Sequence, residues 1–177
     1  MTDKATFRKG YVTADFLSHN YRISGEVDIT VNPLADILND ALKSYVRVEN
    51  VYISPIQNPA DIKGHYRHGQ LRKDNIAMAV LYREEDGLPK RQSYGSYIGQ
   101  VIHDVFLTVP GFEVRGLLAI SATLDLEGVL VLSAERFIPI SEAVATVSLA
   151  PDIKFQGGMI LVNREYIGIF CISGKRI

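Results

Sequence analysis

The sequence has little cysteine, almost no net charge and no long apolar run. Cys171 is the single cysteine among 177 residues, so an intrachain disulfide is excluded. The 19 Lys and Arg are balanced by 20 Asp and Glu, and the net charge of −1 excludes a global basic field that would hold nucleic acid by charge alone. No segment reaches the roughly 20 apolar residues of a membrane span, so we predict no membrane partner.

Targeting and catalytic motifs are also missing. The first residues, MTDKATFRKGYV, contain no apolar segment of signal-peptide length, so we expect a cytoplasmic protein. No Gly-x-Ser-x-Gly sequence presents a nucleophile, and no glycine-rich phosphate loop opens a helix after a strand. His65 and His68 supply only two of the ligands that a metal site needs. We therefore predict a protein that is not an enzyme, with no cofactor and no metal.

Strand patterns dominate what is present. The segments rich in β-branched and aromatic residues are 12–18, 21–31, 45–54, 75–82, 101–109, 112–121, 129–141, 143–150 and 158–172. Gly25 and Gly116 each lie inside such a segment, where a missing side chain indicates a bend or a bulge. Cys171 lies in the last segment, which predicts a buried thiol. The sequence therefore predicts an all-β fold with at most short helices.

One segment carries a helical pattern. In residues 33–45 the apolar side chains recur at i, i+3 and i+4, with Pro33 placed for the first helical turn and Asn32 for the cap. The corresponding segment of the second half, LDLEGVLVLSAERF, has instead the pattern of a strand or a turn. A short helix and a strand–turn–strand passage therefore both remain open for residues 33–45.

The two halves of the chain have similar sequences. Setting Gly25 on Gly116, an offset of 91, places apolar positions of one half on apolar positions of the other. The match slips by one residue from Leu34 onward and returns to 91 at Lys73 and Arg164. Similarity over about 75 residues is typical of two structural units and not of a solenoid. We predict that the chain arose by tandem duplication.

Each unit has enough strand segments for a small β-barrel. We assign the first barrel repeat to residues 11–85, a linker to 86–100 and the second barrel repeat to 101–177. A polar stretch, residues 55–70, is predicted to interrupt the first unit as an irregular loop. Small barrels leave unpaired edge strands, so we also predict a homo-oligomer.

The repeated motifs resemble those of the Sm-like family. Its first motif is a hydrophobic–x–Gly–x–Leu strand followed by an acidic turn and an x–Leu–x–Leu strand, and it is echoed by ISGEVDITVNPLADILNDA and VRGLLAISATLDLEGVLVLSA. Its second motif is echoed by QLRKDNIAMAV and MILVNREYIGIF. The resemblance covers both halves and implies two tandem Sm-like barrels. Stretches such as RISG and RFIPI also resemble uncharacterised bacterial domains, and this resemblance implies no activity.

The positions that bind RNA in the family are changed in this sequence. Sm-like proteins that bind uridine-rich RNA use an Asn in the turn of the first motif, which falls near Ala35 and Glu127. They use an Arg-Gly pair in the second motif, where this chain keeps a basic residue but has Asp74 and Glu165 in place of the glycine. An acidic side chain beside a nucleotide pocket would repel phosphate. The resemblance therefore supports the barrel more than it supports RNA binding.

Basic and aromatic residues gather in two stretches, KGHYRHGQLRK (63–73) and PKRQSYGSY (89–97). Cations hold phosphates and tyrosines stack on bases, so these stretches are candidates for a nucleic-acid interface. The candidate nucleic-acid-binding residues, with the basic residue of the second repeat included, are Lys63, Tyr66, Arg67, Arg72, Lys73, Lys90, Arg91 and Arg164.

The leading functional prediction is a non-enzymatic bacterial scaffold or interaction module, because a strongly built β framework carries no assembled catalytic set. The first alternative is an Sm-like RNA-binding protein that uses the basic and aromatic loops. The second alternative is a small-molecule sensor with its ligand between the two repeats, where a cleft commonly opens.

Overall fold

The computed structural model describes residues 8–88, 99–121, 127–132 and 135–175. Within these ranges the chain forms one α-helix, α1 (Leu34–Asn39), and ten strands that lie in a single sheet. The strands are β1 (Tyr11–Leu17), β2 (Tyr21–Asp28), β3 (Tyr45–Pro55), β4 (Gly64–Arg72), β5 (Met78–Leu81), β6 (Gln100–Val109), β7 (Phe112–Ser121), β8 (Phe137–Val147), β9 (Ala150–Asn163) and β10 (Ile169–Lys175). The prediction of a β fold with at most short helices is confirmed.

The sheet is open and antiparallel, in the order β10-β6-β7-β8-β9-β5-β1-β2-β3-β4. The sheet therefore does not close into the two small β-barrels that the sequence predicted. Met78–Leu81 of β5 pairs with residues 159–162 of β9, and this ladder, the inner joint, connects the two halves. Because β5 has β1 on one side and β9 on the other, it has no free side with which to close onto β4.

Each half contributes five neighbouring strands in the same order. The first half runs β5-β1-β2-β3-β4 and the second β10-β6-β7-β8-β9, so that β6 to β10 correspond to β1 to β5. Val12 faces Val27 in the first half, and 91 positions later His103 faces Leu118 in the second. The other three ladders correspond in the same way, with β3 and β8 offset by 92 residues. The assigned unit boundaries, 11–85, 86–100 and 101–177, stay a prediction.

The two halves also bend at matching glycines. The β2–β3 ladder shifts its register at Gly25, and the β7–β8 ladder shifts at Gly116. A Cβ on Gly25 would lie 2.7 Å from the backbone oxygen of Glu49, and a Cβ on Gly116 would lie 2.8 Å from that of Ser141. Both contacts are too short for any side chain, which explains why glycine stands at each bend.

The strands that face these glycines carry the same backbone irregularity. Asn50 of β3 and Glu142 of β8 both have a positive φ, at 49° and 46°. They are 92 residues apart, and each follows the residue whose carbonyl approaches the glycine. The predicted bends at Gly25 and Gly116 are therefore confirmed, and each involves both strands of its ladder.

Two apolar cores lie on opposite faces of the inner joint. Met78 and Val80 belong to the core of the second half, and Ala79 and Leu81 belong to the core of the first. The facing segment of β9 alternates in the same way. Both faces of these strands are buried, which is why their sequences, MAVL and MILV, are continuous apolar runs.

Several predicted strand boundaries are wrong. The irregular loop predicted for residues 55–70 contains β4, whose polar side chains are exposed or half-buried because the strand lies at the sheet edge. Residues 129–141 begin with a π-helical turn, Gly128–Leu132, and the strand starts only at Phe137. β8 then runs unbroken across the predicted break near residue 142. The predicted segment 158–172 is divided by a 3₁₀ turn, Arg164–Tyr166.

The helical reading of residues 33–45 is confirmed for a shorter segment. α1 begins at Leu34 and Pro33 stands at its N-cap position, where its side chain makes no capping hydrogen bond, so the predicted cap position at Asn32 is wrong. Leu34 and Leu38 are buried, whereas Leu42, predicted on the same face, lies beyond the helix and is 95% exposed. None of the helices in the described ranges is long and apolar enough to cross a membrane.

Cys171 is exposed, so the predicted buried thiol is wrong. The residue lies in β10, which pairs with β6 on one side and is an edge of the sheet on the other. Its apolar neighbours in sequence predicted burial, but burial also requires a neighbouring strand.

Candidate functional site

The two copies of the second motif meet where the halves join, in a cluster that we call the motif junction. It comprises the 3₁₀ turn Lys73–Asn75 between β4 and β5, the 3₁₀ turn Arg164–Tyr166 between β9 and β10, and Arg136 just before β8. The hydroxyl of Tyr166 donates a hydrogen bond to the backbone oxygen of Asp74, so the two turns are in direct contact.

Lys73 is buried and holds the end of α1. Its side chain is 2% exposed, and Nζ donates hydrogen bonds to the backbone oxygens of Ile37 at 2.6 Å and Asp40 at 2.8 Å. Burial lowers the pKa of Lys73, although the charge of Asp40 acts in the opposite direction. A cation that satisfies the final carbonyls of a helix stabilises it, so Lys73 has a structural role in this geometry.

Arg164 occupies the corresponding place in the second half. Its Nη1 donates to the backbone oxygen of Leu130, at 3.4 Å, in the π-helical turn between β7 and β8. Lys73 and Arg164 thus each reach the connection that follows the second strand of their own half. The contact of Arg164 is the longer one.

The acidic residues Asp74 and Glu165, which follow Lys73 and Arg164 in the chain, both bind Arg136. Arg136 Nη1 lies 2.7 Å from the carboxylate of Asp74, and Nη2 lies 2.7 Å from that of Glu165. Arg72 adds a second ion pair to Asp74, at 2.8 Å. Hydrogen bonds from Arg136 and Arg72 lower the pKa of Asp74. The predicted repulsion of phosphate is therefore reduced by a cation that the sequence analysis did not select.

Two asparagines that sequence reasoning missed complete the connection between the halves. Asn39 at the end of α1 accepts a hydrogen bond from the Phe137 backbone nitrogen at 2.7 Å and donates to its oxygen at 3.3 Å. Asn163 is fully buried and donates to the backbone oxygen of Ile76 at 2.9 Å. Nothing in the local pattern marked these residues, because their partners lie 98 and 87 positions away in the chain.

The remaining predicted nucleic-acid residues lie on or next to the edge strand β4. Lys63 forms an ion pair with Asp61 at 2.6 Å, while Tyr66 and Arg67 are exposed on opposite faces of the strand. His65, on the same face as Arg67, stacks on Tyr52 with ring centroids 4.2 Å apart. Lys90 and Arg91 lie outside the described residues.

The structure thus divides the predicted set between two places. Lys73 and Arg164 belong to the motif junction, and Arg72 reaches it through Asp74. Tyr66 and Arg67 lie on the edge strand β4, and Lys63 directly precedes it. His65 and His68, considered as metal ligands, point to opposite faces of β4 because their spacing in a strand is odd.

A cavity of about 380 Å³ lies beside the motif junction, between the halves. The first half contributes the turn of residues 18–21 with Asn75 and Ala77, and the second half contributes Pro110 and Tyr166. Its described lining contains no Asp, Glu, Lys or Arg, so it offers a ligand hydrogen-bonding side chains together with apolar surface.

No protein family, curated protein or solved structure matches the chain in sequence or fold comparisons. Function is therefore inferred from the chemistry of the motif junction, the cavity and the two sheet edges.

Proposed function

We propose that the protein is a non-enzymatic scaffold made of two Sm-like units, produced by tandem duplication, that assembles with further copies of itself. The observation that carries the proposal is the use of the motif residues: in both halves the basic residue of the second motif bonds to the protein's own backbone. These groups stabilise the framework, whereas a nucleotide site would need them to face solvent.

The tandem duplication is supported by the register of the sheet. The four ladders of the first half have counterparts in the second at offsets of 91 or 92 residues. The glycine bends and the paired positive φ values follow the same offsets. Agreement of strand order alone is common among antiparallel sheets, but agreement of registers, bends and turn contacts together favours a common origin.

The scaffold is favoured over RNA binding by the chemistry of the first motif as well. Ala35, where the family's nucleotide-binding members have an Asn, is fully buried in the first core and has no polar side chain to bind a base. Asp74 and Glu165 are occupied by Arg136. Binding a phosphate at the motif junction would require it to compete with Asp74 and Glu165 for Arg136 and to break the backbone hydrogen bonds of Lys73 and Arg164.

Two measurements on the intact protein test the scaffold. Light scattering at tens of micromolar should give a mass at least twice that of the 19.7-kDa chain. Titration of uridine-rich and adenine-rich oligonucleotides at low salt should show no affinity that falls steeply with added salt. A strictly monomeric protein, or steeply salt-dependent RNA binding, would contradict the proposal.

Nucleic-acid binding is a second candidate because of one feature, the exposed edge strand β4. Arg67 lies on the same face as the stacked pair of Tyr52 and His65, an arrangement that suits a phosphate beside a base. If RNA binds, Arg67→Ala should weaken the binding, whereas Lys73→Met should not, since Lys73 is buried. The opposite pattern would place RNA at the motif junction.

A ligand in the cavity between the halves is a third candidate. The side chains of Asn20 and Asn75 line it from two different turns and can donate and accept hydrogen bonds. Native mass spectrometry of the freshly purified protein would reveal a retained small molecule. Asn75→Leu should abolish the retention if the ligand occupies this cavity, and Gln156→Leu on β9, outside the cavity lining, is the control.

A further inference from the structure

A second cavity, which we call the face cavity, lies on the second half of the chain. It has a volume of about 460 Å³ and spans β10, β6, β7 and β8 over the bend at Gly116. Binding sites for small molecules commonly have volumes of about 300–1,000 Å³. The face cavity is therefore large enough for a small ligand, and none of its described lining residues belongs to the motif junction.

The floor of the face cavity is apolar and lies on the side of the sheet that is turned away from the second core. Phe106 of β6 faces Arg115 of β7, which also faces Val144 of β8, so the three residues form a row across the sheet. Leu117 lies two residues farther along β7, on the same face. Phe106, Leu117 and Val144 are half-buried and belong to neither core. A ligand that covered them would complete their burial, which favours a ligand with an apolar part.

Arg115 supplies the cation of the face cavity. Its guanidinium lies over the ring of Phe106, 4.6 Å from the ring centroid, and it forms no hydrogen bond or ion pair with the described part of the chain. A guanidinium stacked in this way keeps the N–H groups of its own plane free, and their fork matches the two oxygens of a carboxylate. Arg115 is therefore placed to bind the carboxylate of a ligand.

Glu142 supplies an anion on the next strand. It lies in β8 two residues before Val144, and among the described residues its carboxylate has no hydrogen-bond or ion-pair partner. Its φ of 46° is uncommon for a glutamate, whereas the equivalent residue of the first half, Asn50, is of a type that adopts this conformation more readily. The backbone therefore does not explain why a glutamate stands at this position.

At the corresponding positions of the first half the polar side chains bind one another. Asp15 accepts a hydrogen bond from the hydroxyl of Ser24 and forms an ion pair with Arg22 at 3.0 Å. Asn50 donates a hydrogen bond to the carboxylate of Glu26 at 2.9 Å. The first half thus satisfies its polar groups internally, whereas the cation and the anion described above remain available to a ligand.

The charges of the lining decide which class of ligand fits. Asp104, which faces Leu117 in the β6–β7 ladder, also lines the face cavity, so one cation stands with two carboxylates. The two carboxylates would repel a simple carboxylic acid, and a simple amine would leave the guanidinium of Arg115 without an anion. A ligand that carries both an ammonium and a carboxylate group satisfies both signs of charge.

We propose that the face cavity binds an α-amino acid with an apolar side chain. The carboxylate of the amino acid accepts hydrogen bonds from the guanidinium of Arg115, and its ammonium group donates to the carboxylate of Glu142. Its apolar side chain covers Leu117 and Val144. The site lies within one chain and does not require self-assembly, so it goes beyond the proposed scaffold.

Isothermal titration calorimetry of the intact protein with three compounds tests the two charges separately. L-Leucine carries both charged groups, isocaproate has the same side chain without the ammonium group, and isoamylamine has it without the carboxylate. We expect L-leucine to bind about tenfold or more tightly than either analogue, because it alone forms both charge-assisted contacts. Equal affinity for the three compounds, or no heat of binding with millimolar L-leucine, would overturn the proposal.

Two variants assign these contacts to residues. Arg115→Met should weaken the binding of L-leucine about tenfold or more and should not weaken the binding of isoamylamine, which has no carboxylate. Glu142→Gln should weaken the binding of L-leucine to a similar extent and should not weaken that of isocaproate, which has no ammonium group. Both side chains are exposed, so the variants should fold like the wild type, and their urea midpoints check this.

The matched control is Lys154→Met, which removes an exposed cation of β9 outside the described lining of the face cavity. This variant should bind all three compounds like the wild type. Binding of L-leucine that is unchanged in Arg115→Met, or that falls equally in Lys154→Met, would overturn the proposal.

The outcomes also separate the face cavity from the proposed function and from the cavity beside the motif junction. Binding of L-leucine by a protein that stays monomeric would contradict the scaffold and support the face cavity. An assembly that does not bind L-leucine would overturn the face cavity and leave the scaffold standing. Binding that is lost in Asn75→Leu and kept in Arg115→Met would place the amino acid beside the motif junction, which would also overturn the face cavity.

Discussion

The two halves of the protein share strand order and register, yet the last strand of the first half, β5, lies inside the sheet and that of the second, β10, lies at its edge. β5 and β10 are similarly apolar, but β5 lies between two strands and is buried, while β10 has one neighbour and leaves Ile169 and Cys171 exposed. The difference arises from position in the sheet and not from composition. Two similar sequences therefore differ in burial because one lies inside the sheet, where it joins the halves, and the other lies at its edge.

The motif junction differs between the halves as well. In the first half a short helix ends at carbonyls that Lys73 satisfies with two hydrogen bonds of 2.6 and 2.8 Å. In the second half Arg164 donates a hydrogen bond of 3.4 Å to the backbone oxygen of Leu130, in a π-helical turn. The same motif position thus contacts a helix end in one half and a π-helical turn in the other.

The largest effect is expected from Gly157→Ala, which breaks the inner joint. The added Cβ would lie 2.1 Å from the Leu81 backbone oxygen, and neither backbone can move without separating β5 from β9. We expect the free energy of unfolding to fall by about 3 kcal/mol or more, measured by urea denaturation. Gly69→Ala on the edge strand β4, where the added Cβ would lie 3.5 Å from its nearest neighbour, should lower the free energy of unfolding by less than about 1 kcal/mol. Equal losses in the two variants would contradict the close approach at the inner joint.

The next largest loss of stability is expected from substitutions at the bends of the two halves. Gly25→Ala and Gly116→Ala each force a methyl group against a backbone oxygen of the facing strand. Because the two contacts are 2.7 and 2.8 Å, we expect losses of about 2–3 kcal/mol that agree within about 1 kcal/mol. Thermal or urea denaturation of both variants measures this. If alanine is tolerated at one glycine only, the two bends are not equivalent.

Much of the framework could be predicted from the sequence because it depends on local patterns. The alternation of apolar residues marked β2 and β7, the glycines marked the bends, and the spacing of Leu34 and Leu38 marked the helix. The pairing of β5 with β9 could not be predicted in this way, since it joins residues about 80 positions apart. The same holds for β4, whose polar sequence reflects an edge that only the assembled sheet defines.

The candidate site was harder to predict than the fold. Lys73 belongs to a basic, polar stretch that is typical of a solvated loop, and only the position of α1 shows that the ammonium group is buried. Arg136 and Asn39 act through partners in the other half of the chain. The sequence pattern showed that Asp74 and Glu165 depart from the Sm-like motif. It did not show that Arg136 binds both of them.

A smaller effect is expected at the motif position that differs between the halves. Lys73→Met removes two charged hydrogen bonds and leaves two carbonyls without them, so we expect a loss of about 2 kcal/mol. Urea denaturation of Lys73→Met and of the wild type under the same conditions measures this loss. A loss below about 0.5 kcal/mol would mean that the two hydrogen bonds of Lys73 do not hold the end of α1.

The smallest effect concerns the charge of Asp74, which links the halves through Arg136. The folded protein lowers the pKa of Asp74 below its ordinary value of 3.8, chiefly through hydrogen bonds from Arg136 and Arg72. The stability that this ionised carboxylate contributes is therefore present above about pH 4 and is lost as the pH falls through the lowered pKa.

Asp74→Asn should remove this contribution, so that the variant loses less stability than the wild type on acidification below pH 4. Urea midpoints measured at pH 7 and at successive steps below pH 4 give the comparison. Asp152→Asn, which changes an exposed carboxylate at the start of β9, is the matched control and should lose as much stability as the wild type when the pH falls. Parallel curves for Asp74→Asn and the wild type would mean that Arg136 joins the halves without the charge of Asp74.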